Sequence, residues 1–344
     1  MENQARSLTL TPRMVDILDL LAQARLAQEV GSVSASPPNM HRVIVEWRTR
    51  ALLSGDDRIE HRQQEIEAVL ADRGLTRLVG APVGDQQLQR LTALRAGYPN
   101  FAPAIDHLRH AMLLARVTPR QALTGARLLL IGPPGIGKTA FAYALAESLA
   151  LPLTRCDMAA AQAGSHLAGS EDYWANTQPG LVWRSLIQDS HANPLFLLDE
   201  LDKASDEQQF RGGGYNAAAA LFSLLEPITA QRFQDRSLPA MVLDASLVNW
   251  IATANDVGRV DPALLSRFTV LDVAAPTPAQ RAGWVQHLYE ALLDELGVKG
   301  FAPAQLSSQM IEQLVGLEAR AVRQSLRTAL AEFFSREERV RTWH

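Results

Sequence analysis

The strongest chemical signal in the sequence is a phosphate-binding loop, Gly132-Pro133-Pro134-Gly135-Ile136-Gly137-Lys138-Thr139. It matches the pattern G-x-x-x-x-G-K-[ST] at every fixed position. Glycine lets the backbone curl until its N–H groups point at phosphate oxygens, and the N-terminus of a following helix adds partial positive charge. We expect Lys138 to reach the β- and γ-phosphates of ATP and the Thr139 hydroxyl to bind Mg²⁺. The nucleotide-binding segment is predicted to extend to Ala140.

Two carboxylates follow an apolar run further along the chain, Leu195-Phe196-Leu197-Leu198-Asp199-Glu200. Ligands of α/β folds bind at the carboxyl ends of the strands, which is where this pair falls. We expect Asp199 to hold Mg²⁺ through its water shell and Glu200 to orient and deprotonate an attacking water. Alone, the pair fits a solvated strand end equally well, and the phosphate loop upstream favours the catalytic interpretation.

A third apolar run ends in an amide, Trp250-Ile251-Ala252-Thr253-Ala254-Asn255. Asn255 is placed to contact the same water if its strand lies beside that of Asp199. A turn-forming asparagine after a strand is common. The functional interpretation of Asn255 therefore depends on its position in the ordered set of motifs.

The rest of the sequence supplies elements that can position these motifs, in three regions. Residues 1–97 are predicted to be a helical region, with helices after Thr11-Pro12, over Val43–Leu53 and over Arg58–Leu70. Residues 98–275 alternate apolar runs with helical patterns, which predicts an α/β domain whose parallel sheet is flanked by helices. Residues 276–344 are predicted to form an α-helical lid. The predicted strands are 128–131, 151–155, 195–198, 248–252 and 268–271.

Composition excludes several classes of protein. The net charge of −4 over 344 residues gives no global basic field, so nucleic acid is not indicated as a partner. The apolar runs are strand-sized and no leader is apparent, which predicts no membrane segment. Cys156 is the one cysteine, so neither an internal disulfide nor a cysteine-rich zinc site is expected. A cytoplasmic location fits this pattern.

The order of the motifs resembles the AAA+ superfamily, and their detail is similar to the ATPase module of Lon proteases. The resemblance covers about residues 98–334. It is carried by Pro194 to Lys203 around the Walker B carboxylates, by Phe210-Arg211-Gly212, by Ala219 to Pro227, by Ile251 to Asn255 and by Pro262 to Arg267.

The resemblance implies roles for residues that spacing alone does not identify. Asn255 matches the sensor 1 residue, and Arg267 matches the arginine finger that reaches the γ-phosphate bound by a neighbouring subunit. Arg320 matches the sensor 2 arginine of the lid, with Arg323 one turn further as the alternative. A finger that acts on a neighbour requires a homo-oligomer, and the Lon-like resemblance implies a hexameric ring.

The resemblance also implies a substrate-gripping loop between the Walker motifs. Alignment on Pro179-Gly180 places Trp174 at the aromatic position that lines the pore of Lon-like rings, with Tyr173 beside it. An aromatic side chain can hold an extended polypeptide through apolar contact without demanding a sequence. Glu171 and Asp172 stand where Lon proteins carry basic residues, which favours basic substrates.

The predicted function is that of an Mg-ATP-hydrolysing ring motor that remodels or threads a protein substrate, as a chaperone does. No protease motif with a recognisable context is apparent, so we expect proteolysis to need a separate partner. The alternative is an ATP-gated assembly switch or scaffold that recruits protein or nucleic-acid partners. An inactive ATPase is disfavoured because the set of motif residues is complete.

Overall fold

We describe the fold from a computed structural model of the chain. The helix expected after Thr11-Pro12, and that over Arg58–Leu70 except for Ala68, lie outside the described residues. The structure describes residues 39–47, 68, 72, 74–80, 82–160, 163–170, 178–204, 217–239, 241–317 and 319–341, with the backbone alone at 47, 163, 217, 319, 320 and 337–341.

Short strands precede the main sheet. β1 (Met40–Arg42) pairs antiparallel with β3 (Thr76–Leu78). Between them in the sequence, β2 (Ile44–Trp47) pairs antiparallel with residues 241–243, some two hundred positions later. The amino-terminal region is therefore not all helical within its described part.

The helix expected over Val43–Leu53 is wrong at residues 44–47, which form β2. Val43 and Ile44 are almost fully buried, and with Val45 they make a β-branched run. Such side chains lose rotamer freedom in a helix and pack well on a pleated surface. The distant partner strand supplies the backbone hydrogen bonds that a local helix would otherwise have made.

Two helices then lead into the α/β core, α1 (Asp85–Gly97) and α2 (Ala102–Ala115). Leu91 of α1 lies in one hydrophobic cluster with residues of the central sheet. Phe101, at the start of α2, stacks on Phe141 with ring centroids 4.5 Å apart. α1 falls within the predicted region 1–97, yet it packs as part of the α/β core.

The central sheet is parallel. Its strands in chain order are β4 (Arg127–Ile131), β5 (Leu153–Asp157), β6 (Leu195–Asp199), β9 (Asn249–Ala254) and β10 (Thr269–Asp272). They lie in the spatial order β10-β4-β9-β6-β5. Each predicted strand is present, with bounds that differ by at most two residues. Between β6 and β9, β7 (Phe233–Gln234) and β8 (Met241–Leu243) form a separate sheet with β2.

Helices cover both faces of the central sheet. Successive residues of β4 enter different hydrophobic clusters, Leu128 and Leu130 on one face and Leu129 and Ile131 on the other. This alternation is what a sheet buried on both sides requires. The intervening helices are α3 (Lys138–Leu149), α4 (Ala163–Ala168), α5 (Leu181–Gln188), α6 (Ala217–Leu225), α7 (Pro227–Ala230) and α8 (Pro262–Leu265). The predicted α/β fold is confirmed.

Residues after the sheet are helical, with their own small core. The helices are α9 (Pro278–Leu296), α10 (Ser308–Leu314) and α11 (Ala319–Arg341). Val285, Leu292, Val322 and Leu326 are buried in a cluster that these helices share. Within the described ranges, no helix combines the length and the apolar character that crossing a membrane needs.

Candidate nucleotide site

The phosphate loop is the connection between the end of β4 and the start of α3. Gly132 passes so close to the chain after β10 that an added Cβ would lie 2.3 Å from the carbonyl oxygen of Val273. Gly137 has φ of +97°, in the left-handed region that favours glycine. Pro133, Pro134 and Gly135 are exposed, so the loop is open to a ligand from outside.

Lys138 ties this loop to the neighbouring strand. Its Nζ donates to the carbonyl oxygens of Gly132, at 2.6 Å, and Pro133, at 3.0 Å, and to Asn255 Oδ1 at 2.8 Å. Burial lowers the pKa of the ammonium, and the surrounding carboxylates, Asp202 foremost, partly oppose that shift. A polyphosphate bound at this loop would place negative charge beside the buried ammonium and so favour its charged form.

Asp199, at the end of β6, accepts hydrogen bonds at both carboxylate oxygens. Oδ1 accepts from the hydroxyls of Thr139, at 3.0 Å, and Thr253, at 2.7 Å. Oδ2 accepts from Arg155, through Nε at 3.0 Å and Nη2 at 2.8 Å. Thr139 and Asp199, predicted to act together on the metal, are therefore in direct contact.

This pair fits Mg²⁺. A hydroxyl and a carboxylate oxygen 3.0 Å apart are hard oxygen donors on one side of a site that opens toward the phosphate loop. Mg²⁺ is usually held by one or two such protein groups, with phosphate oxygens and water completing the octahedron. Among the described residues no group of three or more His, Cys, Asp or Glu side chains is arranged to hold a metal.

Glu200 follows Asp199 in a left-handed backbone conformation, with φ of 60° and ψ of 50°. Its N–H donates to Thr253 Oγ1 at 2.9 Å, and its carboxylate pairs with Lys203 at 2.6 Å. Holding a non-glycine residue in this conformation costs about 1–3 kcal/mol, and such residues cluster at functional sites. Glu200 lies at the carboxyl edge of the sheet, as predicted, and its carboxylate is occupied by a lysine.

Asn255 sits at the end of β9 between the phosphate loop and the Walker B strand. Its side chain accepts from Lys138, while its backbone N–H donates to Asp202 Oδ2 at 3.1 Å. The N–H of Asp256 reaches the same oxygen at 3.3 Å. Asp202 is buried, and its Oδ1 has no hydrogen-bond partner in the described part of the chain.

Sequence reasoning missed four residues of this network: Arg155, Asp202, Lys203 and Thr253. One signal for Thr253 was available, since a lone hydroxyl interrupts the apolar run of β9. Asp202 and Lys203 stood inside the matched Walker B stretch without an assigned role. Nothing in the sequence placed Arg155 beside Asp199, because the two meet only through the pairing of β5 with β6.

Arg267 is not brought to this site. Its Nη1 donates to the carbonyl oxygen of Ala263 at 2.7 Å, its guanidinium lies over the Phe222 ring at 5.3 Å, and its buried Nε has no hydrogen-bond partner within the described residues. Arg267 lines an open cavity of ≈ 510 Å³ together with residues 125–127 at the start of β4. The phosphate loop follows the opposite end of that strand.

The remaining predicted site residues are not tested by these contacts. Tyr173 and Trp174 lie outside the described residues, and the side chain of Arg320 is not described. Arg323 is exposed and forms an ion pair with Glu295, which also binds Arg327 at 2.7 Å. Arg323 is therefore engaged within the helical region itself.

Comparison with known proteins agrees with the geometry of the site. Residues 128–273 match the family model described as "ATPase family associated with various cellular activities (AAA)". Lon protease 1 of Bacillus subtilis is 31% identical over 267 residues, covering 74% of this chain and 33% of the relative. The peroxisomal Lon protease homolog 2 of Caenorhabditis elegans is 34% identical over 173 residues, 50% of this chain and 22% of the relative.

The chain thus matches between 22% and 33% of the length of these relatives. The matched part contains the phosphate loop, both Walker B carboxylates and Asn255. These residues form an AAA ATPase domain that resembles the ATPase module of Lon proteases.

Proposed function

Because the chain carries an AAA ATPase domain similar to that of Lon proteases, we propose that it hydrolyses Mg-ATP and uses the cycle to remodel or thread a protein substrate. The observation that carries the ATPase part is one connected network at the carboxyl edge of the sheet. Hydrogen bonds of 2.7 to 3.0 Å join Lys138 to Asn255, and Asp199 to Thr139 and Thr253. The two sets are connected through the backbone, because Lys138 and Thr139 are adjacent in the chain. Glu200 is attached to the same network through its backbone.

Each residue of the network has a defined task in hydrolysis. The N–H groups of the loop and Lys138 bind the β- and γ-phosphates, and Thr139 and Asp199 would hold Mg²⁺, which would neutralise phosphate charge. Water attacks the γ-phosphorus, the bond to the ADP oxygen breaks, and Glu200 accepts the proton of the water. Asn255 orients that water. Glu200 must release Lys203 before it can act as the base.

Arg267 is proposed to complete the site of a neighbouring subunit. Gly125 and Gly132 bracket β4, and seven residues of extended chain span about 23 Å, so Arg267 is far from its own phosphate loop. Its buried, unpaired Nε is consistent with a group that gains a partner on assembly. A homo-oligomer follows, and the similarity to Lon proteases favours a hexamer. Arg320 is proposed as the sensor 2 residue of a lid formed by residues 276–344.

The remodelling part of the proposal depends on the loop that contains Tyr173 and Trp174. We propose that Trp174 grips an extended protein substrate in the pore of the ring, with Tyr173 beside it. The substrate is a protein handed to a separate protease or effector, and the proposed location is the cytoplasm. The competing function is that of a switch or scaffold, in which ATP binding assembles the subunits and no protein substrate is pulled.

The decisive experiment measures the steady-state ATPase rate per subunit across protein concentration, with saturating Mg-ATP. We expect the rate to rise cooperatively, and addition of Arg267→Ala subunits to lower the rate of the wild-type subunits. Mixing with Arg90→Ala subunits is the control, since Arg90 is an exposed arginine of α1. A flat or absent rate with ATP binding retained contradicts the motor and favours the switch. A second arm applies Trp174→Ala, which is expected to abolish substrate unfolding while hydrolysis continues.

A further inference from the structure

The metal site is already neutralised by side chains of the protein itself. Asp199 is paired with Arg155, and Glu200 is paired with Lys203. Lys138, the third cation, is held by carbonyl oxygens and by Asn255. Lys203 is paired with Glu200, the proposed base. Arg155 is paired with Asp199, the carboxylate that is proposed to hold Mg²⁺.

The contact between Arg155 and Asp199 is well formed. Both Nε and Nη2 of Arg155 donate to Oδ2, at 3.0 and 2.8 Å. The Asp199 side chain is 6% exposed, while that of Arg155 is 46% exposed. The aspartate is therefore largely shielded from water and the guanidinium is its charged partner, whereas the arginine can return to water at little cost in solvation.

We propose that Arg155 is a resident counter-cation of the metal site, which neutralises Asp199 in the absence of Mg²⁺ and competes with Mg²⁺ for this carboxylate. The inference rests on the proposed function, because it assumes that Asp199 and Thr139 hold the metal of Mg-ATP. A guanidinium in contact with the carboxylate repels a divalent cation that approaches the same group. Arg155 thereby sets the Mg²⁺ concentration at which the nucleotide becomes tightly bound.

The position of Asp199 does not depend on Arg155. The hydroxyls of Thr139 and Thr253 hold Oδ1, and β6 is bonded to a strand on each side. Loss of the guanidinium therefore leaves the carboxylate oriented while removing the competing charge. This fixes the sign of the effect: without Arg155, Mg²⁺ must bind more tightly.

The test is a Mg²⁺ titration of the binding of a fluorescent ADP analogue to the full chain. We expect the half-saturating Mg²⁺ concentration to fall by about tenfold in Arg155→Gln, within the usual range of coupling between two bound charges. Arg155→Lys retains the charge and should stay near wild type, and Arg90→Gln is the control for the loss of a distant arginine. An unchanged or higher half-saturating concentration in Arg155→Gln overturns the proposal.

A second measurement uses the wild-type chain and so does not depend on the folding of a variant. The Nε–H resonance of Arg155 should shift to that of a solvated guanidinium when Mg²⁺ is added to the ADP-bound protein. If the Nε–H resonance of Arg155 is unaffected by Mg²⁺, then Mg²⁺ does not displace Arg155 from Asp199 and the proposal is wrong. If the wild-type protein binds no nucleotide, the proposed function fails as well. If binding depends on Mg²⁺ but not on Arg155, only the present inference fails.

Discussion

Glu200 combines a strained backbone with a carboxylate that we propose to be the catalytic base. Its left-handed conformation follows β6 directly and is fixed by the bond from its N–H to Thr253 Oγ1. The strain therefore has a compensating contact, and it directs the chain into the turn that contains Asp202 and Lys203. Among the described residues the carboxylate itself is held by Lys203 alone, at a position where both side chains are 39% exposed. That pair is weak enough to open when a nucleotide arrives.

Glu200→Gln should separate binding from hydrolysis. The amide keeps the size of the side chain and the bond from the backbone to Thr253, but it cannot accept the proton of the attacking water. We expect the hydrolysis rate constant to fall by about 10²–10⁴-fold while nucleotide affinity changes little. Single-turnover hydrolysis and equilibrium binding measure the two quantities. Glu147→Gln, on the exposed face of α3, is the matched control; a similar loss there would assign the effect to folding.

At the scale of elements, the site depends on how β6 is fastened to β9. Thr253 of β9 bonds to Asp199 and to the N–H of Glu200. Asp202, just past β6, accepts the N–H groups that follow β9. The ends of β6 and β9 are thus hydrogen-bonded to each other in both directions. The bonds from the backbone after β9 to Asp202 hold Asn255 beside Lys138.

Asp202→Ala should therefore impair hydrolysis through Asn255. We expect kcat to fall by about tenfold or more, while nucleotide affinity is kept or improved because a negative charge near the phosphates is lost. If Asp202 acts through Asn255, adding Asp202→Ala to Asn255→Ala should lower kcat little further. A double-mutant cycle measures this coupling. Asp256→Ala, whose side chain bonds to Gly258 instead, is the control. Additive losses would mean that Asp202 acts independently of Asn255.

The strands of the central sheet were largely predictable from the local sequence pattern. The hydrogen bonds between the ends of β6 and β9 were not. Continuous apolar runs identified β4, β6 and β9, because a strand buried on both faces leaves that signature. The sequence predicts a helix where β2 forms, because the partner that makes β2 a strand, β8, lies some two hundred residues away. The bonds of Asp199 to Arg155 and Thr253 cross between strands whose spatial order does not follow the sequence. Residue types predicted the candidate site residues, but only the fold identified the groups that hold them.

At the scale of the molecule, the central sheet separates the nucleotide network from Arg267, which the proposed function requires to act together. The nucleotide network lies at the carboxyl ends of the strands, and Arg267 lies near the start of β4. The proposed homo-oligomer would bring Arg267 of one chain to the nucleotide network of its neighbour. The amino-terminal strands are attached to the same body, since β2 extends the sheet of β7 and β8 and His41 of β1 bonds to Asp244 at 2.8 Å.

The bond between His41 and Asp244 makes this attachment sensitive to acid. Burial, the largest influence, raises the pKa of Asp244, but hydrogen bonds from His41 and Ser246 together hold it below its ordinary value. A carboxylate with a lowered folded-state pKa stabilises the fold above its unfolded-state value, about 3.9, and this contribution is lost as the pH falls through the folded-state pKa.

Asp244→Asn should therefore destabilise the protein by about 1 kcal/mol at pH 7, and the difference from wild type should shrink as the pH falls below about 4. Thermal unfolding midpoints across pH give the comparison, and hydrogen exchange of the β2 amides reports whether the strands detach locally. Asp272→Asn, at an exposed position of β10, should show no such dependence. A difference that stays constant down to pH 3 would show that the carboxylate charge does not fasten these strands. A loss of β2 protection without a shift in the global midpoint would place the contribution in local attachment alone.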